Sequence, residues 1–242
     1  KNSTVSIENL FNSSEQKQII DHLSKEQKLT SIYTNHDDFS LSKPPHNVST
    51  GYIKTENVLN CPNIILGANN EKLISIINSY FNCKFKLDWI WAWWSFPSKT
   101  KIGPQSFHRD YESFNFVKVF VYLTDVDKEN GPHFIIKGSD RFQKFYERKR
   151  FSDDQINFAF DKDSIKEIVG NKGTTFLANT YAIHKGLLPV NQKRLVLVYL
   201  FSVIPSLRSP KIPPLNLNQL DEKSQKIVKK NKYINSQFIN FK

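Results

Sequence analysis

Two periodicities divide the chain. Over residues 7–23, apolar side chains recur at Ile7, Leu10, Phe11, Ile19, Ile20 and Leu23 among serines and glutamates, which predicts a helix with one buried stripe. A second helix is expected over 70–81, with Leu73, Ile74, Ile76 and Ile77 facing inward. Between them, residues 35–60 turn polar around Pro44, Pro45 and Gly51, which predicts a long loop of the kind that covers a site. From residue 87 the period changes from helical spacing to two. Trp89, Trp91, Trp93 and Ser95 fall on one side of an 87–96 strand, with Ile90, Ala92, Trp94 and Phe96 on the other. One side is a candidate pocket wall, with packing between sheets as the competing use of these tryptophans. In the 116–123 strand, Val117, Val119, Val121 and Leu123 oppose Phe116, Lys118, Phe120 and Tyr122, so Lys118 is the one charge on an aromatic face.

A polar turn over 125–132 leads into a short strand beginning at His133, then a helical stretch through Arg150 and short, partly helical connections over 151–169. His133 follows a Gly-Pro turn and reads as a hydrogen-bonded or surface histidine. Strands are expected again over 173–179, 181–184 and 194–201, and the remaining residues form a Pro-rich, then Lys-rich appendage. Many central strands without a βαβ rhythm predict a mainly β domain, a double-stranded β-helix of the jelly-roll, cupin-like kind. One domain over 1–242 is expected, with the jelly-roll core at about 87–204, a helical N-terminal part over 1–86 and the appendage over 205–242.

Composition narrows the class. The 242 residues are 39% hydrophobic and 13% aromatic, enough for a globular core, and no apolar run reaches the roughly 20 residues of a membrane span. The start lacks a signal-peptide core, so a cytoplasmic protein is expected. Cys61 and Cys83 lack a metal-ligand spacing and read as free thiols, and the N-x-[ST] triplets at Asn2, Asn12 and Asn47 as coincidence. The net charge of +11 is scattered, with clusters at 144–150 and 223–232 and no nucleic-acid motif. A small, acidic substrate is therefore a better expectation than nucleic acid. Oligomeric state is not legible.

The charged and imidazole side chains carry the chemistry. On a strand, His108 and Asp110 leave the same face and can share an ion while Arg109 turns away. His184 from a second strand completes two imidazoles and one carboxylate, the set that leaves coordination positions open on Fe(II) for an oxo-acid such as 2-oxoglutarate and for O2. Arg194 opens the 194–201 strand and can grip the distal carboxylate of that co-substrate. Lys118 needs either an anion, for which a co-substrate carboxylate would serve, or an exit to water. Gln105, Trp91, Trp93, Phe107, Tyr111, Asn115 and the loop before Asn60 are candidates to contact substrate. A metal-dependent jelly-roll isomerase or hydrolase would use the same ligands without needing Arg194, and a binding module would not need the ligands at all.

The ordered motifs Gln105-Ser106-Phe107-His108-Arg109-Asp110, the strand Val117 to Val126, Asn130-Gly131-Pro132, Gly138-Ser139, Lys172-Gly173-Thr174 and Thr180 to Gly186, with Arg194 beyond, resemble the signatures of the phytanoyl-CoA dioxygenase-like family. The resemblance covers about residues 87–204. It implies a double-stranded β-helix with His108, Asp110 and His184 on Fe(II), Arg194 clamping 2-oxoglutarate, and Lys118 at a strand position whose side chain can also reach the co-substrate. It further implies hydroxylation of a small molecule with O2. A carboxylate at Asp110 leaves no vacant position for chloride and so argues against halogenation. Two positions depart from the family pattern: Asp140 where a histidine often follows Gly-Ser, and Asn179 where an aspartate is common.

Overall fold

The computed structural model describes residues 3–25, 28–34, 37–98, 103–206 and 215–240. Asn2 and the proline-rich stretch over 207–214 lie outside them. The chain opens with strand β1 (Thr4–Ile7) and helix α1 (Ser13–Leu23). The helix begins later than apolar spacing predicts because Asn12 and Glu15 form a reciprocal capping box that fixes its first turn. Strands β2 (Lys28–Thr30), β3 (Phe39–Ser40) and β4 (Thr50–Ile53) precede helices α2 (Thr55–Leu59), α3 (Pro62–Ala68) and α4 (Glu71–Phe81). Then come β5 (Lys86–Ser95), β6 (Phe116–Tyr122), β7 (His133–Ile136), α5 (Asp153–Ala159), β8 (Ile165–Ile168), β9 (Thr175–Ala178), β10 (His184–Gly186) and β11 (Arg194–Ser202). Strands β12 (Leu215–Asn216) and β13 (Ile239–Asn240) flank α6 (Glu222–Lys230) and pair in parallel.

Eight strands form an antiparallel sheet in the order β1-β9-β6-β11-β5-β4-β2-β3, faced by a smaller sheet β10-β7-β8, so the mainly β jelly roll expected from the sequence is the observed architecture. Alternation along the central strands assigns each face. Phe120, Tyr122, Phe176, Ala178, Val196 and Val198 point between the sheets and meet Ile135 and Ile168 of the smaller one, with Trp91 and Trp93 beside them. The opposite set, including Ile90, Ala92, Trp94, Val119, Val121, Leu197, Tyr199 and Phe201, packs against Ile19, Leu23, Ile64, Ile65, Leu73 and Ile77 of the helices. Burial on both faces is why the 195–201 run is continuously apolar rather than alternating.

Two expectations are corrected. Residues 35–60 are not a bare loop: β3, β4 and α2 lie within them, and β4 pairs directly with β5. Gly51 permits this, since a Cβ there would meet Phe39 at 2.8 Å, and a four-residue strand is too short for its period to show. The stretch after Gly138 is a single 3-10 turn, Ser139–Arg141, followed by irregular backbone rather than a helix to Arg150. The C-terminal residues pack on the outer, helical side of the large sheet, where Leu217, Leu220, Val228, Phe238 and Ile239 belong to the core. Asn235 also exchanges amide hydrogen bonds with Asn69, at 3.1 and 2.7 Å.

Candidate metal centre

Backbone pairing brings the two imidazoles together. His108 and His184 exchange both N–H···O bonds, each 2.9 Å, as a bridge that extends the smaller sheet, and the Asp110 N–H bonds the Thr180 carbonyl at 2.9 Å. A narrow antiparallel pair holds its Cα atoms roughly 5.5 Å apart, so two inward side chains converge. One ligand atom from each of His108, Asp110 and His184 lies within 4.8 Å of the others. The histidine Nε2 atoms are 3.5 and 3.4 Å from the two oxygens of Asp110. His108 Nδ1 is 2.9 Å from the Ser106 carbonyl and His184 Nδ1 is 3.0 Å from the Ala182 carbonyl. Carbonyls only accept, so each Nδ1 carries the proton and each Nε2 keeps its lone pair for a metal.

Charges around the triad are matched. Lys118 Nζ donates to Asp110 Oδ2 at 2.8 Å and to Glu112 Oε1 at 2.9 Å, and stands 5.0 Å from the Trp91 ring centre. Burial alone would raise the Asp110 carboxyl, but Lys118 and His184 hold it well below its usual range. Burial would likewise lower Lys118, yet Asp110 and Glu112 keep it above its ordinary value. His108 goes the other way: burial first, then neighbouring His184, push it down from 6.5 to about 4. In that interval the unfolded chain holds a proton the folded chain lacks. The stability contribution is complete above the unfolded value and is lost as pH falls through the folded one. The thermal midpoint of the metal-free protein should therefore drop as pH is lowered from 6.5 toward 4, and His108→Gln should flatten that limb.

Across the gap between the sheets stands Arg194, paired in register with Ser95 and donating to its hydroxyl at 3.1 Å. The guanidinium is buried, its Nε has no partner, and among the described residues no carboxylate forms a salt bridge with it. Its Nη2 lies 3.6 Å from where a Cβ of Gly186 would sit. Gly186 is two residues beyond His184 on the same face, roughly 7 Å along the strand. A buried cation short of partners at that distance from the triad fits one end of a five-carbon dicarboxylate whose other end meets the ion. The residues present thus suit both Fe(II) and 2-oxoglutarate.

A cavity of about 310 Å³ joins these groups. Its lining includes His108, Asp110, His184, Arg194 and Lys118, together with Gln105, Trp91 and Trp93 from the predicted substrate set. Thr50 and Tyr52 join from β4, within the stretch before Asn60. Phe107, Tyr111 and Asn115 are not among the lining residues. Phe107 alternates with His108 and so packs outward against Ile136 and Phe151. Tyr111 lies edge-on to Tyr181 and donates to the Tyr146 carbonyl. Asn115 precedes β6, where its carbonyl takes the Val203 N–H at 3.0 Å. Lys118 lines the cavity, but its ammonium is engaged by Asp110 and Glu112 rather than standing open to a co-substrate. Sequence reasoning did not single out Trp89, Glu112, Tyr122 and His133, all of which line the cavity. Alternation puts Trp89 on the same face as Trp91 and Tyr122 on the same face as Lys118, whereas His133, expected to be hydrogen-bonded or at the surface, is buried.

Arg109 turns away from the triad as alternation requires, and it explains why 142–145 are not helical. Its guanidinium binds the carbonyls of Phe145 at 2.9 Å, Tyr181 at 2.6 Å, Phe142 at 3.3 Å and Lys144 at 3.4 Å. Carbonyls turned to one buried cation cannot also serve a helical ladder, and Phe145 takes a φ of 65°. Replacing Arg109 by Met should cost about 2–4 kcal/mol in denaturant unfolding, because several inward carbonyls lose their donor together.

Residues 65–190 match the family model described as phytanoyl-CoA dioxygenase (PhyH), just over half of the chain. No curated protein sequence matches it. The fold is similar to that of HygX from Streptomyces hygroscopicus with nickel, 2-oxoglutarate and hygromycin B bound, at 14% identity over 86% of each chain and a TM-score of 0.60. It is also similar to the α-ketoglutarate-dependent epimerase SnoN from nogalamycin biosynthesis, at 12% identity over 83% of this chain and 76% of that one, with a TM-score of 0.57. EvdO2 from Micromonospora carbonacea var. aurantiaca, complexed with 2-oxoglutarate, matches at 14% identity over 86% of this chain and 91% of its own, with a TM-score of 0.56. No helix among the described residues is long and apolar enough to cross a membrane. With motif order, fold and ligand geometry in agreement, this chain belongs to the phytanoyl-CoA dioxygenase family, whose oxygenases use Fe(II), 2-oxoglutarate and O2.

Proposed function

We propose that this protein hydroxylates an unactivated C–H bond of a small molecule, converting 2-oxoglutarate and O2 to succinate and CO2 while placing one oxygen atom in the product. His108, Asp110 and His184 would hold Fe(II), and Arg194 would hold the far carboxylate of 2-oxoglutarate. When bound, the iron and the oxo-acid supply the oxidant that removes the substrate hydrogen. The chain's own residues orient and enclose. The backbone carbonyls of Ser106 and Ala182 fix which imidazole nitrogen faces the ion, while Lys118 keeps Asp110 ionised. Trp89 and Trp91, stacked with ring centres 4.4 Å apart, and Tyr52 with Trp93 at 5.7 Å, wall the cavity with apolar surface that limits water.

The observation that carries this reading is the buried Arg194, without a carboxylate partner among the described residues, leaning on Gly186 two residues beyond His184. A metal-dependent hydrolase or isomerase gives it no role. The expectation of an acidic substrate draws support from overall charge alone, because inside the cavity Lys118 is already matched by Asp110 and Glu112. The solved structure of HygX with hygromycin B supports a small-molecule substrate on this fold. The test is an air-exposed incubation of Fe(II)-loaded protein with 2-oxoglutarate and a small-molecule library, reading succinate and product mass. Substrate-stimulated succinate with a product heavier by one oxygen is expected. Succinate without a mass gain would point to epimerisation or another use of the same oxidant, and no succinate with any substrate would count against the assignment.

A further inference from the structure

We infer that His133 is a further anchor for 2-oxoglutarate, donating a ring N–H to the carboxylate that Arg194 clamps. This rests on the proposed role of Arg194. Strand register supplies the first argument. His133 pairs with Gly186 on β10, while His184 pairs with Ile135. Partners directly opposite share a face, so His133 projects to the same side as His184 and Gly186. Gly186 is also where the Arg194 guanidinium leans. His133 therefore stands beside the line from the metal ligands to the clamp, and it lines the cavity that contains them.

The second argument is that the ring is held in place but not satisfied. Its plane stacks on His184 with centres 5.3 Å apart and 22° between planes, and it packs on Phe120 at 4.8 Å and Phe176 at 5.5 Å. The backbone N–H is tied to the Tyr122 hydroxyl at 3.1 Å. The residue is 94% buried, yet among the described residues Nε2 has no hydrogen-bond partner. For packing alone, a phenylalanine would fill this aromatic nest without the cost of burying an unpaired polar atom. An imidazole carries at least one ring N–H in either tautomer, so the ring has a proton to donate. A carboxylate reaching Arg194 is the acceptor that this position offers.

Calorimetric titration of 2-oxoglutarate into anaerobic, Fe(II)-loaded protein tests the inference on wild type, His133→Phe and His133→Asn. Fe(II) binding, measured first, should be unchanged in both variants, because the triad is intact. His133→Phe keeps the aromatic packing and should bind 2-oxoglutarate about tenfold or more weakly, the loss of one hydrogen bond to a charged acceptor. His133→Asn retains an N–H and should recover part of the affinity. Equal dissociation constants for wild type and His133→Phe overturn the role of His133 while leaving that of Arg194 intact. A wild type that takes no 2-oxoglutarate overturns both.

Discussion

Asp110→Ala is expected to lose Fe(II) at micromolar concentration and to release no succinate, a fall of roughly three orders of magnitude or more in turnover. The carboxylate is the only anionic member of the ligand group, and its oxygens lie 3.5 and 3.4 Å from the two imidazole nitrogens that would complete the set. Two neutral imidazoles remain, and they cannot offset the dehydration of a dication as a carboxylate does. The fold should survive, because Lys118 keeps Glu112 as a partner and the His108–His184 backbone bridge does not involve the Asp110 side chain. Equilibrium dialysis with Fe(II) and a far-ultraviolet spectrum of the same sample check both halves. A variant that keeps near-wild-type iron affinity would remove Asp110 from the ligand set.

Arg194→Met should weaken co-substrate binding sharply and at the same time stabilise the metal-free protein. Removing one member of a desolvated charge pair costs about 2–5 kcal/mol of binding, so 2-oxoglutarate affinity should fall by roughly 30-fold or more. In the free protein the same guanidinium is buried with only the Ser95 hydroxyl as hydrogen-bond partner among the described residues and an unpaired Nε. An apolar side chain of similar length removes that cost, and the denaturant midpoint should rise by an amount equivalent to about 1–3 kcal/mol. Opposite signs on stability and binding are what a preorganised ligand site predicts. A variant that is less stable and still binds the co-substrate would make Arg194 a structural residue.

The two periods carried much of this. Alternation in 87–96 and 116–123 separated Trp91, Trp93 and Lys118, which line the cavity, from Ile90, Val119 and Val121, which pack on the helical side. The i, i+2 rule joined His108 to Asp110 and turned Arg109 outward. What stayed hidden depends on contacts remote in sequence. The four-residue strand β4 shows no usable period, and its place beside β5 depends on Gly51 nesting against Phe39. The absence of a helix after Gly138 follows from Arg109, about thirty-five residues earlier, claiming its carbonyls. Phe107 and Tyr111 were drawn into the substrate set by nearness to the ligands in sequence, although Phe107 alternates outward by the same rule that places His108 inward. Lys118 had two sequence readings, an anion or an exit to water, and the anions it meets are Asp110 and Glu112. His133 looked incidental after a Gly-Pro turn because its neighbours His184 and Gly186 come from a strand about fifty residues later.

The most direct measurement is a crystal structure of the protein grown without oxygen in the presence of Fe(II) and 2-oxoglutarate, with anomalous scattering collected at the iron edge. The account predicts a single strong iron peak bounded by His108 Nε2, Asp110 and His184 Nε2, and a dicarboxylate running from that ion past Gly186 to the Arg194 guanidinium. An iron peak elsewhere, or a co-substrate whose far carboxylate avoids Arg194, would contradict it.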